Sequence, residues 1–126
     1  MKESVTTPHA PLPIAPYSPA IKSGQTVYLS GQIALDPVSG NLIGDDFKTE
    51  AHQVFKNLLE VVKAAGGSPE HIVKLNVYIT DFADYKTLNT IMTEYFEAPY
   101  PARAVVQVSA LPMNARIEVD GIVVLV

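Results

Sequence analysis

Two side chains in this sequence have both the type and the setting to act on a small molecule. Arg103 follows Pro99-Tyr100-Pro101-Ala102, where a strand leaves a turn among aromatic and apolar residues. A guanidinium there is suited to two-pronged capture of a carboxylate. Glu118 comes fifteen residues later, between Ile117 and Val119, and alternates onto the face that carries Asp120, Ile122 and Val124. If that face is covered, the carboxylate is partly desolvated, its pKa rises and it becomes suited to proton transfer. Each residue also has a purely structural reading: an arginine satisfying carbonyls at a strand end, and an edge charge that discourages sheet aggregation. His9, His52 and His71 stand far apart and share no metal-ligand spacing with carboxylates. With no cysteine, disulfides, thiolate metal sites and a thiol nucleophile are excluded together. Gly66-Gly67 follows a helix where a phosphate loop would precede one, and Ser30-Gly31 lacks the nucleophile-elbow pattern. Neither a metal nor a nucleotide cofactor is expected.

These residues must be positioned by elements that the sequence outlines. Five prolines fall within residues 1–19, which read as an extended arm laid on the fold and ending near Tyr17. Residues 26–33, TVYLSGQI, have strand character, and the Gly24-Gln25 turn predicts a hairpin with residues 20–23. Gly31 inside that strand marks a bulge or a close approach of a ligand to the backbone. Asp45 or Asp46 is expected to cap a helix whose apolar residues Ala51, Val54, Phe55, Leu58, Leu59 and Val62 share one face, with Gly66-Gly67 ending it. A strand over 72–79 should bury Val73, Leu75, Val77 and Ile79, and a second helix over 84–97 should bury Tyr85, Leu88, Met92, Tyr95 and Phe96. Two final strands, 102–110 and 116–126, flank a short loop and are expected to pair antiparallel. That pairing sets Arg103 opposite Val123 and roughly 16 Å along the hairpin from Glu118. The two could then share a small substrate only if different subunits supplied them.

The chain has 126 residues, the length of one compact domain, 1–126, with enough interior to need no disulfide or structural metal. Two helices can cover only one face of the sheet, yet residues 122–126 are apolar throughout and Val105 and Val106 point to opposite faces. A face without helices needs a partner subunit, so an oligomer is expected. Nine Lys plus Arg stand against thirteen Asp plus Glu, a net charge of −4 with the lysines scattered singly, which argues against a nucleic-acid surface. No run of eighteen apolar residues and no signal-type N-terminus is found, and a cytoplasmic location is the default expectation.

Several collinear motifs make the sequence recognisable. Residues 100–108, YPARAVVQV, followed by Ala110-Leu111-Pro112 and Ile117-Glu118-Val119, resemble the signature of the YjgF/RidA family of reactive intermediate/imine deaminases. Residues 14–18, IAPYS, are similar to its N-terminal motif, residues 29–33, LSGQI, to its first strand motif, and Leu88-Asn89 to its second helix. The resemblance implies an α+β fold: a two-layer, chorismate-mutase-like domain with a mixed sheet of about six strands and two helices on one face. It also implies a homotrimer with sites between subunits and no cofactor. The implied reaction is hydrolysis of 2-aminoacrylate or 2-iminopropionate to pyruvate and ammonia, and of related 2-imino acids such as 2-iminobutyrate. By the same resemblance Arg103 and Glu118 would be catalytic, Arg103 holding the substrate carboxylate and Glu118 activating water. Tyr17, Ser30, Gly31 and Asn89 would line the cleft. Val105 stands where the family often has cysteine, so a thiol role is lost there and a main-chain contact would survive. Asp120 replaces a frequent glutamate.

Two other functions compete. The Arg103 cleft could sense a small carboxylic acid without turning it over, as a regulatory protein, although Glu118 favours an enzyme. A ribonuclease or translation-inhibitor role, also claimed within the family, fits poorly with an acidic chain of scattered lysines and no paired histidines.

Overall fold

The computed structural model describes all 126 residues. Its elements, in chain order, are β1 (Glu3–Val5), β2 (Ala20–Ser23), β3 (Thr26–Gln32), α1 (Phe47–Ala64), β4 (Ile72–Ile79), α2 (Tyr85–Met92), β5 (Ala102–Gln107) and β6 (Ile117–Val124). One mixed sheet runs β1-β2-β3-β6-β4-β5, and both helices lie on the same face. This is the two-layer α+β architecture expected from the sequence.

α1 forms where its pattern places it. Asp46 is the N-cap, its carboxylate accepting from the Thr49 N–H at 2.8 Å, and Gly66, with φ of 97°, follows the C-terminus. The apolar stripe Ala51, Val54, Phe55, Leu58, Val61 and Val62 is buried against β3 and β6. Phe55 anchors the segment that follows α2, stacking on Tyr95 at 5.4 Å and meeting Phe96 edge-on at 6.0 Å. Gly121, at the centre of β6, lets that strand run against the Lys74 carbonyl; any Cβ there would collide with the backbone.

Several expectations need correction. β5 and β6 are not a hairpin. β5 lies parallel to β4 across the α2 crossover, while β6 inserts antiparallel between β3 and β4. The β4-α2-β5 unit claims one edge of β4 for β5, and β6 gains two neighbours and burial of its helix-facing side by taking the other. The strands are also shorter than expected, ending at Gln107 and Val124. α2 spans only Tyr85–Met92, followed by turns up to the Pro99-Tyr100-Pro101 segment. The N-terminal arm is not wholly outside the sheet. Glu3–Val5, ahead of the first proline, forms an edge strand on β2. In β4 a register irregularity between Ile72 and Lys74 buries Ile72 and leaves Val73 exposed.

The face away from the helices is uncovered. Tyr28, 52% exposed, and Val106, 45% exposed, lie on it with the half-buried Ile122 and Val124. No helix is long and apolar enough to cross a membrane.

Candidate active site

Arg103 points to the helix face of β5. It is aligned with Leu75 of β4, whose side chain is in the core. Its Nη1 donates to Asn89 Oδ1 at 2.7 Å and lies 3.3 Å from the Met92 sulfur, while Nη2 donates to the Tyr85 hydroxyl at 3.1 Å. The guanidinium carbon sits 5.5 Å from the Tyr85 ring centre. Tyr85, Asn89 and Met92 are spaced by four and three, so one face of α2 presents all three to the arginine. No carboxylate pairs with Arg103, since the ion pairs of the chain are Arg116 with Glu50 and His52 with Glu94. A guanidinium has five N–H groups, so some donors remain free toward a cavity of about 300 Å³ that Tyr100 and Pro101 help to line. The structural alternative, an arginine satisfying strand-end carbonyls, is not what is seen. Every hydrogen-bond partner of Arg103 is a side chain.

Glu118 occupies the other face of the sheet. Its position on β6 is aligned with Tyr78 of β4 and shares the uncovered face with Asp120, which accepts from Asn76 Nδ2 at 2.8 Å. Burial, and then the Asp120 charge, push the Glu118 carboxyl above the usual glutamate range. The Tyr78 hydroxyl is pushed up by burial and by both carboxylates. Gly31 lies in the bulge of β3 between Leu29 and Gln32, as its place in the strand suggests, and the Glu118 carboxylate lies directly against it. A Cβ at 31 would stand 2.6 Å from Oε2.

In front of Glu118 opens a cavity of about 430 Å³, lined also by Tyr17, Ser30, Gly31 and Met113. Ser30 does less at its open end than its cleft position implies, because its hydroxyl donates to the Ser18 carbonyl and its N–H to the Pro19 carbonyl. Ser18 in turn accepts from the Ser4 hydroxyl at 3.0 Å. The three serines thus stitch the Tyr17-bearing arm to the sheet.

Six of the seven sequence-derived site residues therefore separate into two groups. Tyr17, Ser30, Gly31 and Glu118 line one cavity, and Asn89 and Arg103 line the other, on opposite faces of the sheet. The hairpin distance between Arg103 and Glu118 falls with the hairpin, and no path within one subunit brings them to a common small molecule. The Val105 side chain packs against the core and lines neither cavity. Tyr85 and Met92, which hold the arginine, escaped sequence reading as site residues, although their helical spacing to Asn89 was available. His52 Nδ1 pairs with the Tyr95 hydroxyl at 2.7 Å and His71 caps the turn at Ser68, so both histidines have local structural partners.

Residues 7–125 match the family model described as Endoribonuclease L-PSP. The chain belongs to this family. Among RidA-type relatives, it is 44% identical over 124 residues, 98% of this chain and 97% of the other, to the 2-iminobutanoate/2-iminopropanoate deaminase of Dermatophagoides farinae. The crystal structure of RidA from the Antarctic bacterium Psychrobacter sp. PAMC 21119 is similar with a TM-score of 0.94 and 43% identity, covering 97% of this chain and 98% of that one. E. coli TdcF with bound serine is similar with a TM-score of 0.92 and 35% identity, covering 97% and 98% of the two chains.

Proposed function

We propose that this RidA-family protein is a hydrolytic deaminase of 2-imino acids and their enamine tautomers, acting in the cytoplasm as a homotrimer whose sites lie between subunits. The observation that carries the reading is the division of labour across the sheet. An arginine without a carboxylate partner faces one way, and a carboxylate of raised pKa beside an open cavity faces the other. Each lacks what the other supplies. A subunit that lays its Arg103 cavity against its neighbour's uncovered face would join a carboxylate anchor to a proton-transfer group and exclude bulk water from both.

The chemistry balances with water alone. For 2-aminoacrylate, protonated Glu118 delivers a proton to the terminal carbon, and the nitrogen electron pair shifts to form the iminium of 2-iminopropanoate. Water adds to the C=N carbon while Glu118, now ionised, takes one of its protons. Glu118 returns its proton to the carbinolamine nitrogen and takes the hydroxyl proton, the C–N bond breaks as the oxygen electrons form the carbonyl, and ammonia leaves with pyruvate while Glu118 is again protonated. A carboxyl whose pKa sits above the ordinary glutamate value alternates between the two forms more readily near neutrality. Arg103 holds the carboxylate throughout, and Tyr85 and Asn89 hold Arg103. The same steps convert 2-iminobutanoate to 2-oxobutanoate.

The test is an assay that generates the imine in situ and follows the 2-oxo acid. Wild type should accelerate release. Arg103→Ala should lose about 10²-fold or more in kcat/KM, as expected when a bidentate charged contact is removed, with the oligomer retained. Acceleration unchanged by that substitution would overturn the reading, as would binding of 2-oxo acids with no turnover, which would mark a sensor of small carboxylates.

A further inference from the structure

The chain has two arginines, and they are held in opposite ways. Arg103 meets only neutral side chains, whereas Arg116 is committed to a carboxylate. That carboxylate belongs to Glu50 of α1, whose side chain is 0% exposed and takes no part in the hydrolysis described above. A buried charge is costly unless a partner offsets it, and here both oxygens go to a single residue. Oε1 accepts from the Arg116 backbone N–H at 2.9 Å, and Oε2 accepts from its guanidinium Nη1. The charges of Asp45 and Asp46, just ahead of α1, also act on that guanidinium.

Arg116 is where β6 begins, and Glu118 lies two residues on, about 7 Å along the strand. At this end β6 has lost one neighbour. β3 stops at Gln32, opposite Val119, just past its bulge, so Ile117 and Glu118 are paired with β4 alone. The Arg116 carbonyl makes the last contact on the β4 side, accepting from the Thr80 N–H at 3.3 Å, while its own N–H goes to Glu50. Upstream stands the tight turn Pro112–Asn114, in which Met113 and Asn114 have φ of 57° and 56°. Glu50 therefore fixes the boundary between that turn and the strand that carries Glu118.

We infer that Glu50, acting through Arg116, is a positioning residue for Glu118: it anchors the half-paired end of β6 so that the reacting carboxylate keeps its place against Gly31. This rests on Glu118 being the proton-transfer group proposed above. The anchor needs a carboxylate. Two oxygens serve two donors at once, whereas the amide of glutamine has one oxygen and an NH₂ group that would face a donor. Glu50 lies in the helix layer, away from the uncovered face, so the anchor does not depend on what a neighbouring subunit covers.

The full chain is assayed with 2-iminopropanoate generated in situ, with circular dichroism as the control for folding. Glu50→Gln should lower kcat about tenfold and leave KM within about twofold. The deciding measurement is a double-mutant cycle. In a Glu118→Gln background, Glu50→Gln should change the residual kcat by less than about twofold, because a residue that acts through Glu118 has nothing left to position. Equal losses in the two backgrounds, or a kcat unmoved by Glu50→Gln alone, overturn the inference. Should Glu50→Gln not fold, the same cycle is run with Arg116→Gln, which alters a half-exposed side chain and leaves Glu50 its backbone contact.

Carboxyl NMR supplies a readout that needs no turnover. The Glu118 titration, raised by burial and by Asp120, should move back toward the ordinary glutamate range in the variant. That of Asp36, set by the N–H groups of its own turn, should stay where it is. A Glu118 titration that does not move overturns the inference. One that moves in a protein that turns over no imine supports the anchor and overturns the deaminase reading instead.

Discussion

Replacing Gly31 with alanine tests the placement of Glu118 without touching its charge. Gly31 does not have a positive φ, so alanine fits the backbone there without strain. The added Cβ would stand 2.6 Å from Glu118 Oε2 and 2.9 Å from its Cδ, whereas ordinary contact begins near 3.4 Å. The carboxylate must therefore retreat by about 0.8 Å. It is the free end of a side chain beside an open cavity, so it can move without disturbing the sheet, and the melting temperature should stay close to wild type. Catalysis has no such tolerance, because a misplacement of about 1 Å of a reacting group costs on the order of 10²-fold. The loss should fall on kcat more than on KM, since the residue proposed to hold the substrate carboxylate, Arg103, is on the other half of the site. The assay is steady-state release of pyruvate from 2-iminopropanoate generated in situ, with circular dichroism as the control for folding. A kcat within about threefold of wild type in a well-folded Gly31→Ala protein would refute the claim that Glu118 acts from the position seen here.

Other perturbations follow the same logic. Glu118→Gln should cut kcat by about 10²- to 10⁴-fold, the usual worth of a general acid–base group, and should raise the melting temperature at neutral pH. The sign follows from the raised pKa: the folded state holds this proton more tightly than the unfolded one, so stability falls as pH rises through the window between the two values, and an amide escapes that loss. Differential scanning fluorimetry from pH 4 to pH 8 should show the variant gaining on wild type as pH rises. Asn89→Ala frees one Nη1 contact of Arg103 and should raise KM severalfold, by about the 1 kcal/mol that a hydrogen bond contributes, with a smaller effect on kcat. Gly121→Ala places a Cβ against the Lys74 carbonyl in the centre of the sheet; it should destabilise the fold by about 1–3 kcal/mol, seen as a lower urea midpoint.

What the sequence revealed and what it hid have physical causes. α1 is legible because its cap, apolar stripe and glycine stop are all local, and no distant contact is needed to choose its boundaries. The bulge at Gly31 is legible for the same reason. β5 and β6 are individually readable, but their partners are not. Proximity along the chain favours a hairpin, whereas the choice is made by β4, which accepts β5 on one edge and β6 on the other. That one error carried through to the site, since the faces on which Arg103 and Glu118 lie depend on alignment with Leu75 and Tyr78, residues far from both in sequence. Residue chemistry and family motifs pointed to both as reactive; the sheet order separates them. Met113 left no sequence signal as a lining residue, because a left-handed turn places it beside a cavity whose other walls come from three distant segments.

The placement of Arg103 and Glu118, the two groups proposed to act, on opposite faces has a genetic consequence. If every working site takes its arginine from one chain and its glutamate from the next, Arg103→Ala and Glu118→Gln damage different halves. An inactive allele of either kind would then complement the other. In mixed rings assembled at random from equal amounts of the two proteins, about a quarter of the interfaces would pair an intact arginine with an intact glutamate. Two dead proteins, unfolded and refolded together, would recover activity that neither has alone.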